Sequence, residues 1–125
     1  MSNPVNPENP VILSISTNLA AASPGVAIGV LTCSAVVSER DEALWTAIEA
    51  RVAELETLLA TTDVQSIPEI AATRRAYRAL GKDPSRYRGS AEAMVRRIGQ
   101  GKGLYQVNSV VDVNNLVSLE TFHSI

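Results

Sequence analysis

The sequence predicts an α+β fold, a small sheet packed against several helices, and three features lead there. Val11-Ile12-Leu13-Ser14-Ile15-Ser16-Thr17 alternates and is β-branched, the pattern of a first strand, while Val26 to Val37 is apolar on both faces, as a central strand would be. Downstream, apolar residues recur at steps of three and four, the period of helices that bury one side. Turn signals at Ser23-Pro24-Gly25 and Asp83-Pro84-Ser85 separate these stretches.

Before the first strand, residues 1–10 carry three prolines and little that can pack, so a loose lead-in is expected. Gly29 inside the second strand marks a bulge or a close backbone approach. Ser38 and Asp41 have capping-box spacing and open the clearest helix, in which Trp45, Ile48, Val52, Leu55 and Leu59 form one apolar stripe and the glutamates take the solvated side. Ser66 and Glu69 repeat the spacing, with Pro68 in the first turn where its missing N–H costs nothing, and this second helix runs to Leu80 and stops at Gly81. Ser90 caps a third helix, Ala91 to Ile98, with Met94 and Ile98 inward and Arg96 and Arg97 nearer the rim. Leu104-Tyr105-Gln106-Val107 is a short strand candidate, and Ser109 with Asp112 opens a last helix whose buried side is Val113, Leu116 and Val117.

A chain of 125 residues makes one domain, 1–125, with a single core. With aromatic residues at 4%, that core is built from Val, Leu, Ile and Ala. Cys33 is the only cysteine, which excludes an internal disulfide and a cysteine metal cluster; in an apolar run it is expected as an inert core residue. His123 is the only histidine, too few for a zinc site, and no cofactor or metal is expected. No charged residue stands between Asn9 and Ser38, and Leu19 to Val37 approaches the length of a membrane span. Pro24-Gly25 splits it, polar residues are scattered through it, and no basic residue precedes it as a signal peptide requires, so buried strands and a cytoplasmic setting are expected.

The charge pattern carries the functional signal. Net charge is −2, yet nine of the eleven Lys and Arg residues lie between Arg74 and Lys102, against two carboxylates there, Asp83 and Glu92. A pI near 5.4 argues against general nucleic-acid affinity and leaves room for one local basic face. Gly99-Gln100-Gly101-Lys102-Gly103 would let backbone approach a ligand closely. It is not a phosphate loop, since no glycine stands at Val95 and no Ser or Thr follows Lys102; Leu104 excludes a dinucleotide fingerprint.

Arg75-Ala76-Tyr77-Arg78, Gly81 to Ala93, Arg96-Arg97, Gly101 to Leu104 and Asn108-Ser109-Val110-Val111-Asp112-Val113-Asn114-Asn115-Leu116-Val117-Ser118-Leu119 resemble the B3/B4 domain, the editing module of the β subunit of bacterial phenylalanyl-tRNA synthetase, which also occurs as free-standing small proteins. The resemblance covers residues 66–125 well and is most specific from Asn108 to Leu119. It implies a single B3/B4-like α+β domain, represented by its front part and incomplete at the C-terminus, whose pocket binds the amino-acid end of a mischarged tRNA and hydrolyses the ester. It places Asn114 and Asn115 in the pocket lining, Asn114 where the synthetase usually has Thr. The pocket His of the synthetase, which follows a Pro-Met pair, would fall just past Ile125.

Ester hydrolysis needs an oriented water and donors for the developing oxyanion, which Asn114, Asn115 and Ser118 can supply from one helix. Asp112 reads as a helix cap rather than a general base, and no nucleophile dyad can be assembled. Arg88, Arg96, Arg97 and Lys102 are candidates to clamp phosphates of a tRNA or aminoacyl-tRNA; alternatively, Arg74 and Arg75 pair with Glu54, Glu56 or Asp63. Tyr77, Tyr87 and Tyr105 are either base-stacking or core residues, Tyr77 chiefly core. Three functions stay open: a trans-acting aminoacyl-tRNA deacylase, a non-catalytic RNA-binding module, and an amino-acid-binding module. An exposed sheet edge would also call for self-association or a partner that completes the domain.

Overall fold

The computed structural model describes residues 11–125; the expected lead-in, 1–10, lies outside them. The order of elements is α1 (Thr17–Ala22), α2 (Glu42–Leu59), a 3-10 turn (Val64–Ser66), α3 (Pro68–Ala79), α4 (Ser90–Gly99) and α5 (Ser109–Thr121). Among the described residues there is no strand, so the predicted α+β class is wrong: the fold is all-helical. The core is a cluster of Leu55, Val64, Ile67, Ile70, Met94, Val95, Ile98 and Leu119, built where α2, α4 and α5 pack on one another with the 3-10 turn and α3 closing one side.

The three strand expectations fail for a common reason. A strand exists through its ladder of hydrogen bonds, and a two-stranded ribbon alone is marginal in water. Among the described residues no backbone hydrogen bond joins the stretch 11–15 to the stretch 26–37, although Leu13–Ile15 and Ile28–Val30 line one shallow cleft. The first stretch instead turns into α1, where Ser16 Oγ accepts from Leu19 N–H at 3.2 Å. The second runs from Val26 to Ser38 without turn or bend, exposed rather than central, and carries Cys33 into solvent instead of into the core. At Leu104–Val107 the backbone is irregular, with Val107 N–H donating to the Asp112 carboxylate at 3.0 Å.

Helix boundaries follow local chemistry. Asp41, not Ser38, caps α2, accepting from Leu44 N–H at 2.8 Å. Ser38 is held elsewhere: its N–H donates to Ser109 Oγ and its carbonyl accepts from Ser109 N–H, each at 2.9 Å. Trp45, Ile48 and Leu55 are buried with Val52 and Leu59 beside them, as the stripe predicts. Pro68 stands in the first turn of α3, and Gly81 ends that helix at φ 74°, with Gly81 N–H bonded to Arg78 O and Lys82 N–H to Tyr77 O. The end of α4 repeats this motif with Gly101 at φ 72°, Gly101 N–H to Ile98 O and Lys102 N–H to Arg97 O. The glycine run after α4 therefore begins as a helix stop.

Helix α5 departs most from its predicted orientation. Asn108 is its cap, accepting from Val110 and Val111 N–H at 3.1 and 3.0 Å. Asp112, Ser118 and Leu119 are buried, whereas Val113 and Val117 are about half exposed. Asp112 faces inward because Trp45 Nε1–H donates to it at 3.0 Å, so a buried polar pair orients the helix over the apolar valines. No helix among the described residues is long and apolar enough to cross a membrane.

Candidate nucleic-acid interface

The basic stretch divides into arginines that hold the fold and cations that face solvent. Arg74 is buried and donates from Nη1 to Glu92 Oε1 at 2.7 Å, reaching also Pro84 O at 3.4 Å and Ser85 Oγ at 3.5 Å. Arg96 Nε donates to the same Glu92 oxygen at 2.9 Å. One buried carboxylate thus joins α3, the turn at Asp83–Ser85 and α4. The expected pairing of Arg74 with Glu54, Glu56 or Asp63 does not occur; Arg51 takes Glu54 at 2.9 Å.

Of the four predicted phosphate ligands, Arg96 is committed to Glu92, and the Arg97 guanidinium lies 5.5 Å from the Tyr105 ring centroid with its Nε enclosed and unpaired. Arg88 and Lys102 are exposed, but they flank opposite ends of α4, about 15 Å apart at 1.5 Å of rise per residue. The structure does not bring these four into one clamp.

A different cationic group forms on the loop between α3 and α4. Tyr87, 46% exposed, has Lys82 Nζ 5.3 Å and the Arg86 guanidinium carbon 5.6 Å from its ring centroid. Arg88 is exposed next to it. The loop is built rather than slack: Asp83 Oδ1 accepts from Ser85 N–H at 2.9 Å, and Asp83 O accepts from Arg86 and Tyr87 N–H at 3.1 and 2.9 Å. An aromatic face flanked by cations is the arrangement on which a nucleobase stacks beside its phosphates. Lys82 and Arg86 were not among the predicted phosphate ligands, because single charges in a basic run look alike until the turn folds them beside the ring.

Immediately after Arg88, Gly89 packs against the wall of a cleft. A Cβ there would stand 2.8 Å from Ser124 Oγ and 3.5 Å from Thr73 Cγ2, and both residues line that cleft. Ser124 Oγ accepts from Ala91 N–H at 3.3 Å, fixing the chain end to the start of α4. The cleft measures about 610 Å³; Thr73, Thr121, His123 and Ser124 give it a polar side and Ile28 and Val117 an apolar one. That volume lies within the roughly 300–1,000 Å³ of ordinary small-ligand sites.

The three predicted pocket residues separate. Asn114 is exposed and lines a second cleft of about 280 Å³ with Ser38, Asp41 and Ser109, one helical turn from the Val117 wall of the larger one. Asn115 is half-buried, and its Nδ2 is enclosed without a hydrogen-bond partner. Ser118 is buried at 2% exposure and lines neither cleft. Among the described residues no group of three His, Cys, Asp or Glu side chains is placed to hold a metal ion. No protein-family model, no curated protein and no solved structure matches the chain.

Proposed function

We propose that this protein binds the acceptor end of a tRNA or aminoacyl-tRNA, stacking an unpaired base on Tyr87 and lodging the terminal group in the cleft beside Ser124. The observation that supports this most is the exposed Tyr87 ring between Lys82 and Arg86, joined through Arg88 and Gly89 to the cleft wall. Base–aromatic stacking contributes about 1–3 kcal/mol per base, and the flanking cations add attraction to phosphate. The resemblance to the B3/B4 domain suggests the same ligand class, but the α+β fold it implies is not the fold observed.

The test is binding of a fluorescent tRNA by the chain and by Tyr87→Ala. About a tenfold loss or more in the variant, with the helical circular-dichroism signal kept, supports the proposal; equal affinity overturns it.

Ester hydrolysis is the second function, and Asn115 is what favours it. Its enclosed Nδ2 is a donor with no acceptor, as an oxyanion site requires, but Asn115 lines neither cleft, so a substrate would have to open the helix surface to reach it. Deacylation of a panel of mischarged tRNAs by the chain, lost in Asn115→Ala while tRNA binding persists, separates an editing hydrolase from a binding module.

A further inference from the structure

We propose that the stretch from Ala27 to Val37 pairs edge to edge with the same stretch of a second copy, so that two chains associate through a ladder between them. Each chain's own fold stays helical. Among the described residues, none of the backbone groups from Ala27 to Val37 makes a backbone hydrogen bond within the chain. An extended row of free N–H and C=O groups is a template for strand addition.

Side chains add to this. Ile28, Val30, Leu31, Val36 and Val37 are between 53% and 89% exposed. A two-stranded ribbon alone is marginal in water, so the association also needs the partner's side chains to cover part of this apolar surface, which with the neighbouring Val11–Ile15 is on the order of 1,000 Å². No charge interrupts the region between Asn9 and Ser38, so two identical copies meet without like-charge repulsion. The charges that commonly blunt a free edge are missing here. Antiparallel pairing about a two-fold axis satisfies both copies with one contact and closes, since each stretch is then covered by its twin.

The experiment is sedimentation of the 125-residue chain over a concentration series, beside Leu31→Pro, Val36→Pro and Leu31→Lys. Neither proline removes a hydrogen bond that the single chain makes; Leu31 and Val36 point their N–H groups to opposite edges, so whichever edge pairs, one of the two prolines removes a ladder donor. The expected result is a mass twice the 13.3 kDa of the chain, with association weakened at least about tenfold in Leu31→Lys and in at least one of the prolines, and the helical signal unchanged. A native chain that sediments at 13.3 kDa at its highest soluble concentration overturns the proposal. So does open-ended aggregation, and so does an assembly that dissolves with lysine but survives both prolines, which would be side-chain adhesion without backbone pairing.

Discussion

Asp112 is fully buried, with two donors aimed at it: Trp45 Nε1–H on Oδ2 and Val107 N–H on Oδ1, each at 3.0 Å. Removing the carboxylate strands the buried Trp45 donor, at about 1–3 kcal/mol, while the half-exposed Val107 can regain water more cheaply. Asp112→Ala should therefore lose about 2–3 kcal/mol in urea unfolding followed by the fluorescence of Trp45, the chain's one tryptophan. Trp45→Phe, which strands one acceptor contact and removes part of a ring, should cost less. Glu92 presents the same logic with charge. It is 4% exposed and shared by Arg74 and Arg96, so Glu92→Gln leaves a buried guanidinium without its counter-charge and should cost about 3–5 kcal/mol. Arg96 keeps 24% of its side chain in solvent, and Arg96→Ala should cost about 1 kcal/mol or less. Equal effects of the two substitutions would mean that Glu92 matters by packing and not by charge. Both networks were invisible in the sequence, where Asp112 looks like a cap and Glu92 like one more solvated glutamate; a partner dozens of positions away leaves no mark on the local pattern.

Gly89 decides how the loop of cations meets the start of α4. It caps that helix, and its missing Cβ leaves room for Ser124 Oγ, which would otherwise lie 2.8 Å away. Gly89→Ala should push Ser124 off Ala91 N–H and lower the melting temperature by several degrees, about 1–2 kcal/mol in a domain of this size. The same substitution in a Ser124→Ala background meets the Thr73 methyl at 3.5 Å and a β-carbon at 4.0 Å, both ordinary contacts, and should cost clearly less; additive losses would place the strain elsewhere. Elements were legible in proportion to how much of their order is local. The stripe from Trp45 to Leu59, the proline start and glycine stop of α3, and the inward Met94 and Ile98 are all written within one or two helical turns. Strands are not local objects: the β-branched pattern at 11–17 and 26–37 states a preference that only a neighbouring edge can realise, and within the chain none does so. Helix α5 misled for the converse reason. Its valines have the right spacing for a buried face, but the hydrogen bond from Trp45 to Asp112 turns that face outward.

Across the whole molecule, the charge asymmetry resolves into two populations. Nine cations between Arg74 and Lys102 suggested one basic face, yet Arg74 and Arg96 serve the core and Arg97 lies against Tyr105, leaving Lys82, Arg86 and Arg88 around Tyr87 at one end of α4, Lys102 at the other, and Arg75 and Arg78 exposed on α3. The location of the basic region was thus legible, whereas the division of labour within it depended on Glu92 being drawn inside. Under the proposed function, this division sets how tRNA binding should respond to salt. A chain of net charge −2 repels a polyanion at long range, so affinity must come from the few phosphates engaged locally, each releasing counter-ions and adding about 0.7 to the slope of log affinity against log salt on a single strand. Lys82→Gln, Arg86→Gln and Arg88→Gln should each lower that slope by about 0.7, and the triple variant by about 2. Arg75→Gln, on an exposed turn of α3 outside the Tyr87 group, should leave the slope unchanged. Parallel salt titrations on one tRNA make the comparison. A slope that falls equally for all four substitutions would mean diffuse attraction to the whole basic stretch and would remove Tyr87 and its neighbours as a defined contact; a fall confined to Lys82, Arg86 and Arg88 places the phosphates beside the ring.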